Sequence, residues 1–579
     1  MVYLVSDADW WRQAVIYQIY PRSFADANGD GIGDLKGITS RVPYLKDLGI
    51  DAVWLSPFYP SALKDGGYDV ADYRNVDPKI GTLEDFDEMS SKLKEAGIKV
   101  MVDIVPNHSS DDHEWFQAAL KAGKGSPERE RYIFKDGLGP NKEKPPTDWL
   151  SLFGGSSWTS SGQNDGQFYF HWYDSSQPDF NWDNLEIQQD FLRTLKFWAD
   201  KGVSGFRIDV AHGLSKSKNL IYNNNKGETK ITNLPNYKEL EELTTKKLKN
   251  GLGNSDLDHP LLDRDEVHHI YKDWRKLFNT YDPPLMAVAE AWVAPDRKGL
   301  YASPDGLGQT FSFDMLLCNF DPDEYRECIN SSLEESKNTG SSTTWVLSNH
   351  DVMRHASRFG LPNIPTANLG VAIEALNPFL KNRFTEPKVD IESGLNRAKA
   401  ATLMILALPG STYIYQGEEL GLQEVVEIDS SERQDPIFSR TKGEMIGRDG
   451  CRVPIPWSSK SSNFGFGDGT RAHLPQPKWF ERYAVDLEEN NQQSTLNIYR
   501  KALKLRKELQ CPENQFKWIE TSSTNKEILH FKRSDEWEII VNTSKKEVEL
   551  PKGKQVLISS SGKDLKDGLI PGETTVWLK

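Results

Sequence analysis

Cysteine is scarce: Cys318, Cys328, Cys451 and Cys511 are the only four in 579 residues. So few in so long a chain make no disulfide framework, and none stands in a C-x-x-C pair that would suggest a metal or a redox dithiol. They are expected to be buried thiols. Positive charge is also in deficit, with 70 Lys plus Arg against 85 Asp plus Glu and a formal net charge of −15. That balance argues against nucleic acid or an anionic membrane surface as the main partner, since both need a positive footprint. Long apolar runs are missing too. The longest, near Ala400 to Leu408, is far short of the roughly 20 residues that cross a bilayer. Met1 to Trp11 carries acids in place of the basic and apolar blocks of a secretory signal, so a cytoplasmic protein with no membrane contact is the expectation. Aromatics are plentiful, with 17 Trp, 20 Tyr and 25 Phe, which suits a sugar ring and a large core equally.

The length is several times that of a typical domain, and the pattern along it is regular. Short β-branched and aromatic runs alternate with helical patterns at Ala14–Tyr20, Ala52–Pro57, Lys99–Val105, Gly205–Val210, Met286–Trp292, Thr310–Phe313, Thr344–Leu347 and Thr412–Gln416. Between them, Thr82 can cap a helix that carries Phe86, Met89 and Leu93 on one face and stops at Gly97. Leu185 to Lys201 repeats the pattern, with Gly202 as its stop. Eight strand and helix units predict an α/β fold, a (β/α)8 TIM barrel whose chemistry sits where the strands end. Two stretches break the rhythm. Residues 109–178 are rich in Gly, Ser, Lys and aromatics and are too long for a βα loop, which predicts an inserted subdomain at the rim after the third strand. Residues 511–579 alternate apolar and polar residues in short runs, which predicts a C-terminal antiparallel β-sandwich. The barrel then spans 1–108 and 179–510.

The strand ends carry the chemistry. The third ends in DIVPNH (Asp103 to His108), the fourth in GFRIDVAH (Gly205 to His212), the fifth in AVAEAW (Ala287 to Trp292) and the seventh in SNHD (Ser348 to Asp351). One acid at a strand end is ordinarily a helix cap or a solvated loop residue. Asp209, Glu290 and Asp351 converging on one barrel mouth, with Arg207, His108 and His350 around them, are different. Arg207 and Asp209 are two apart in a strand and share a face, so the guanidinium is expected to keep Asp209 ionised. Glu290 is expected to stay protonated and donate to a leaving oxygen. Two carboxyls in unlike environments are what glycoside hydrolysis needs, with retention if they lie roughly 5 Å apart and inversion if the gap is wider.

These four motifs, in this order, resemble those of the α-amylase family of glycoside hydrolases, family thirteen, over essentially the whole chain. The resemblance implies Asp209 as nucleophile, Glu290 as general acid/base and Asp351 as the carboxylate that stabilises an oxocarbenium-like transition state. Arg207, His108 and His350 would line the same glucose subsite. QPDFNW (Gln177 to Trp182) resembles the fifth motif of the α-glucosidases and oligo-1,6-glucosidases. GGYDVADY (Gly66 to Tyr73) and RDGCRVPIPW (Arg448 to Trp457) supply Tyr68, Asp69 and Arg452, and in similar exo-acting enzymes an Asp and Arg pair closes the far end of the pocket. Val210 resembles the Val found after the nucleophile in oligo-1,6-glucosidases and sucrose-acting relatives. LDRD (Leu262 to Asp265) resembles a motif of sucrose isomerases but precedes Glu290 where theirs follows, and reads as a helix start.

DANGDGIGD (Asp26 to Asp34) offers oxygens from Asp26, Asn28, Asp30, the Ile32 carbonyl and Asp34, with Gly37 where an EF-hand has its bidentate Glu. A structural calcium, or magnesium in its place, is expected there, and no organic cofactor. The expected partner is a small α-glucoside or oligosaccharide, bound by a monomer or a dimer. Transglucosylation or sucrose conversion at the same site is the alternative. A non-catalytic transport-associated homologue is a remote one, because all three acids are present.

Overall fold

The computed structural model describes residues 6–221, 234–249, 259–363, 386–469, 471–519, 526–565 and 568–579. Eight parallel strands form the central sheet: β1 (Val15–Ile19), β2 (Ala52–Leu55), β3 (Lys99–Ile104), β4 (Gly205–Ile208), β5 (Met286–Ala289), β6 (Gly308–Thr310), β7 (Thr344–Val346) and β8 (Ser411–Tyr415). They pair in the cyclic order β7-β8-β1-β2-β3-β4-β5-β6. Side chains close the seam between β6 and β7. Thr344 Oγ1 donates to Thr310 O at 2.7 Å and accepts from Ser312 N at 3.0 Å.

Alternation sorts the strand residues into two layers. Ile16, Ala52, Trp54, Met101, Met286, Val288, Val346 and Tyr413 fill the barrel interior. Their neighbours Tyr17, Val53, Val100, Phe206, Ala287, Trp345 and Ile414 pack outward against the helices. Each large side chain so buried is worth roughly 1.5–3 kcal/mol. The sixth strand differs from the expected Thr310–Phe313: Phe311 makes one last bond to Ala289 O at 3.0 Å, and Phe313 then opens a short helix, Phe313–Leu317. Both phenyl rings are buried inside the barrel mouth, which is why the run reads as strand.

The helices begin and end where the chain punctuates them. Leu83–Glu95 starts with a reciprocal capping box, Thr82 with Asp85, and buries Phe86, Met89 and Leu93. Leu185–Asp200 is capped by Asn184, and Gly202 follows it at φ +90°. The excursion after β3 contains a helix, Glu114–Ala122, and a three-stranded antiparallel sheet in the order Phe134–Asp136, Gln167–Phe170, Trp158–Ser160. Isolated bridges His108 to Asp179 and Tyr132 to Phe180 close its neck. Its aromatic cluster, including Trp149, Trp158, Phe170 and Trp172, packs on Leu220, Leu240, Leu261 and Leu262 from the chain after β4. That contact makes one wall of the barrel mouth.

At the C-terminus a five-stranded antiparallel sheet runs in the order Lys517–Trp518, Ile528–Ser534, Trp537–Asn542, Thr574–Leu578, Val556–Ser559, with a two-stranded ribbon of Val548–Glu549 and Leu569–Ile570 beside it. Strands Trp537–Asn542 and Thr574–Leu578 are buried along their whole length. One face lies on the barrel helix Ile391–Ala407, with Trp577 Nε1 donating to Leu403 O at 3.0 Å. The other packs on Ile570 of the ribbon. All four cysteines are buried free thiols. Among the described residues no helix is long and apolar enough to cross a membrane.

Candidate active site

Register builds the site. Asp103 on β3 lies opposite Arg207 on β4, and both point inward because Phe206 and Ile208 face the helices. The Arg207 guanidinium holds three carboxylates. Its Nη1 contacts Asp209 Oδ1 and lies 3.0 Å from Asp103 Oδ1, and its Nη2 reaches Glu290 Oε2 at 2.9 Å. Asp209 and Glu290 therefore open onto one place. Tyr68 OH and Trp54 Nε1 complete the donors to Asp103, at 3.0 and 3.3 Å.

One positive charge cannot balance three negative ones. Burial pushes the Asp209 carboxyl well above the ordinary range; Arg207 opposes that shift, while Glu290 and Asp103 reinforce it. Asp103 is pushed up to about 7, burial again outweighing Arg207. The expectation that Arg207 keeps Asp209 ionised therefore meets an opposing influence, since burial and the two neighbouring carboxylates push the group the other way. Glu290 takes donors on both oxygens, Val210 N on Oε2 at 2.9 Å and Trp292 Nε1 on Oε1 at 3.1 Å. Val210 itself has a left-handed backbone, φ +45°, a conformation that is strained for a β-branched residue.

Asp351 sits in the opposite field. Burial would raise its carboxyl, but His350, Arg448, Arg452 and Arg207 hold it well below the usual range. Arg448 Nη1 and Arg452 Nη2 each donate to its Oδ1 at 2.9 Å, and His350 Nε2 lies 3.2 Å from Oδ2. Gln18 Nε2 donates to His350 Nδ1 at 2.7 Å, and the Tyr68 ring stacks on the imidazole with centroids 5.2 Å apart. Burial pushes the imidazoles of both His350 and His108 below the usual range, with the Asp351 charge opposing the shift at His350. Asn107 Nδ2 lies 3.1 Å from His108 Nδ1, and Tyr68 O lies 3.2 Å from Nε2. Below them the buried Lys216 ties Asn107 Oδ1, at 2.7 Å, to Asp179 Oδ2, at 2.9 Å. That link fixes the neck of the excursion to the chain after β4.

The expected pairing of Asp69 with Arg452 is not what the fold makes. Asp69 is fully buried and accepts from Ser61 Oγ at 2.8 Å and Asp65 N at 3.1 Å. Burial raises its carboxyl to about 6. It braces the turn that presents Asp65, and Asp65 is the acid that meets an arginine, Arg448 Nη2, at 2.8 Å. Arg452 instead holds Asp351 and donates to His350 O at 2.8 Å. The turn needs its two glycines: at Gly66, φ +59°, a Cβ would lie 2.6 Å from Tyr20 OH. Arg448 also pairs with Asp435 at 2.7 Å and lies over the Phe153 ring. Gln177 Nε2 donates to Asp65 Oδ2 at 3.0 Å. Asp65 stands one residue before the Gly-Gly motif, and Arg448 opens the motif that carries Arg452, so position alone could not choose between the pairs.

In the 26–34 loop the side chains answer the loop's own amides. Asp26 accepts from Gly29 N and Gly31 N at 2.6 and 2.9 Å, Asn28 from Asp30 N at 2.9 Å, Asp30 from Ile32 N at 2.8 Å, and Asp34 from Ala27 N at 2.9 Å. Among the described residues no three His, Cys, Asp or Glu side chains stand together as a metal site. In LDRD, Asp263 is buried against Arg297 at 2.9 Å and Tyr301 OH at 2.8 Å, so it braces loops and faces no substrate.

Comparison with known proteins agrees with this geometry. Residues 18–513 match the family described as alpha amylase, catalytic domain. A probable alpha-glucosidase of Rhizobium meliloti (strain 1021) is 34% identical over 524 residues, covering 87% of this chain and 84% of that protein. An oligo-1,6-glucosidase of Parageobacillus thermoglucosidasius is 33% identical over 533 residues, covering 86% and 84%. Among solved structures, the alpha-glucosyl transfer enzyme XgtA superposes with a TM-score of 0.78 at 30% identity, over 98% of this chain and 99% of that one. An isomaltulose synthase mutant of Erwinia rhapontici NX5 in complex with sucrose superposes with a TM-score of 0.79 at 26% identity, over the whole of both chains. The chain belongs to the alpha-amylase family of glycoside hydrolases, as an enzyme of the alpha-glucosidase type.

Proposed function

We propose that the enzyme is a retaining, exo-acting α-glucosidase. It removes the terminal non-reducing α-linked glucose from short oligosaccharides or disaccharides of the maltose, isomaltose or sucrose type. The observation that carries this reading is the single guanidinium gripping Asp209 and Glu290 on its two terminal nitrogens. Such a clamp favours the shorter carboxyl spacing, roughly 5 Å, that goes with a covalent intermediate. As positive charge develops at the anomeric carbon, ionised Asp209 is favoured as the nucleophile. Asp209 Oδ then bonds to C1 while the glycosidic C–O bond breaks, and Glu290 delivers its proton to the departing oxygen. Water next attacks C1 from the vacated side, returns a proton to Glu290 and releases Asp209 with the α configuration restored. Asp351, held anionic by Arg448 and Arg452, stabilises the charge on the ring. The Asp65–Arg448 pair closes the far end of the pocket and makes the action exo.

Asp209→Asn and Glu290→Gln should each lower kcat by about 10³-fold or more with the fold intact. Wild-type rates in either variant would overturn the roles. A second reading, transglucosylation, is favoured by the likeness to a glucosyl-transfer enzyme and an isomaltulose synthase, because a sugar hydroxyl can replace water at the second step. Product analysis with concentrated maltose or sucrose separates the two: chiefly free glucose means hydrolysis.

The 26–34 loop as a calcium or magnesium site is also our proposal. Its donors are all oxygens, which suits a hard cation. Burial and, to a lesser degree, the nearby Asp26 charge raise the Asp34 carboxyl, a cost that a bound cation would relieve. Asp26, Asn28, Asp30, Ile32 and Asp34 would hold the ion, and no step of the reaction passes through it.

A further inference from the structure

A carboxylate has about four lone-pair positions, two on each oxygen, and the partners of Glu290 engage its oxygens unequally. Oε2 accepts from Val210 N at 2.9 Å and is ion-paired with Arg207 Nη2, also at 2.9 Å. Oε1 accepts from Trp292 Nε1 at 3.1 Å and, among the described residues, from no other donor. Oε1 is therefore the oxygen away from the guanidinium, with a lone pair still open. The indole that donates to it is fixed. It lies face to face on Phe313 with centroids 3.9 Å apart and planes 7° apart. Phe313 is buried against Phe311, which packs on Trp54, whose Nε1 donates to Asp103.

We propose that Trp292 is a positioning residue for the glycosidic proton: its N–H pins Oε1 so that the remaining lone pair of that oxygen carries the proton to the leaving oxygen. The inference rests on Glu290 being the acid/base. When the proton leaves, Oε1 gains negative charge, and a donor already aimed at that oxygen strengthens at that moment without reorganising. The same bond turns Oε1 toward the water that later attacks C1 and surrenders its proton.

The test compares kcat/KM, which reports the step to the glucosyl-enzyme, on two substrates. Maltose has a poor leaving group that needs the proton; p-nitrophenyl α-glucoside has one that hardly does. Trp292→Phe keeps an aromatic ring to stack on Phe313 and removes the N–H, along with part of the indole's volume. A charged hydrogen bond of ordinary strength predicts a loss of about 10-fold to 100-fold on maltose. The aryl glucoside should lose less than about threefold, since its step hardly draws on the acid. Trp292→His, which can donate from its ring, should recover part of the maltose rate. Equal losses on both substrates, or a maltose loss confined to KM, would overturn the proposal. Glu290→Gln on the same pair is the control. If it cleaves maltose at the wild-type rate, the acid/base reading itself fails. If it is inactive on maltose while Trp292→Phe is unaffected, only the role of Trp292 fails.

Discussion

Arg448→Met removes the one guanidinium that answers Asp65, Asp351 and Asp435 at 2.8, 2.9 and 2.7 Å. Asp435 decides the outcome, because its side chain is wholly buried. Burial works against its charge, yet Arg448 lowers its carboxyl to about 2. Against an ordinary Asp near 3.9, that depression is worth about 2–3 kcal/mol at neutral pH. Depressed in the folded state, the group contributes stability above its unfolded value and loses it only as the pH falls from about 4 through about 2. In the variant the same buried carboxyl keeps the amides of Ile437 and residue 448 and the charge of Arg452 but loses its guanidinium partner, so burial moves it upward. A raised carboxyl is neutral and harmless in mild acid and becomes a penalty as the pH rises. The gap in Tm between wild type and variant should therefore be small near pH ~4.5 and widen toward pH ~8, where breaking a buried pair costs about 3–5 kcal/mol. Scanning fluorimetry across that range reads it directly. A gap that stays constant with pH would refute the reasoning. Adding Asp435→Asn to the variant should flatten the pH dependence, since the titrating group is then gone.

Asp65→Asn and Asp69→Asn should part company. The first should lower kcat/KM on maltose about 10-fold or more at little cost in Tm, because it unpairs the end of the pocket. The second should chiefly alter Tm, and a larger effect on KM from Asp69 than from Asp65 would restore the Asp69 pairing. If the 26–34 loop holds calcium or magnesium, chelation should lower Tm by a few degrees with kcat at low temperature unchanged, and millimolar calcium should restore it. An unchanged Tm in chelator removes the ion.

The barrel was legible because its determinants are local. Period-two strands, the Thr82 cap and the glycine stops at Gly97 and Gly202 each act over a few residues. Meeting of Asp209 with Glu290 was legible for a related reason: both follow inner-face positions of adjacent strands, and the barrel sends those positions to one mouth. The sixth strand was misplaced by its phenylalanines, which are buried whether strand or helix carries them. Pairing of Asp65 with Arg448 lay beyond the sequence, since it joins residues 383 apart through a turn whose direction depends on Asp69. The upward push on Asp209 was not legible because counting one arginine beside one acid left out Asp103, a third carboxylate brought in by strand register.

Fixity of the two acids comes from the backbone before it comes from their charges. The ladder between β4 and β5 runs on past the strands: Glu290 N donates to Ile208 O at 2.9 Å, and Ala211 N returns a bond to Glu290 O at 2.9 Å. Val210, one residue beyond Asp209, is left-handed, which costs about 1–3 kcal/mol, and its N–H donates to Glu290 Oε2. A chain segment bonded on both sides to Glu290 leaves Asp209 little freedom to drift from its partner, and an error of about 1 Å between reacting groups can cost 10²-fold in rate.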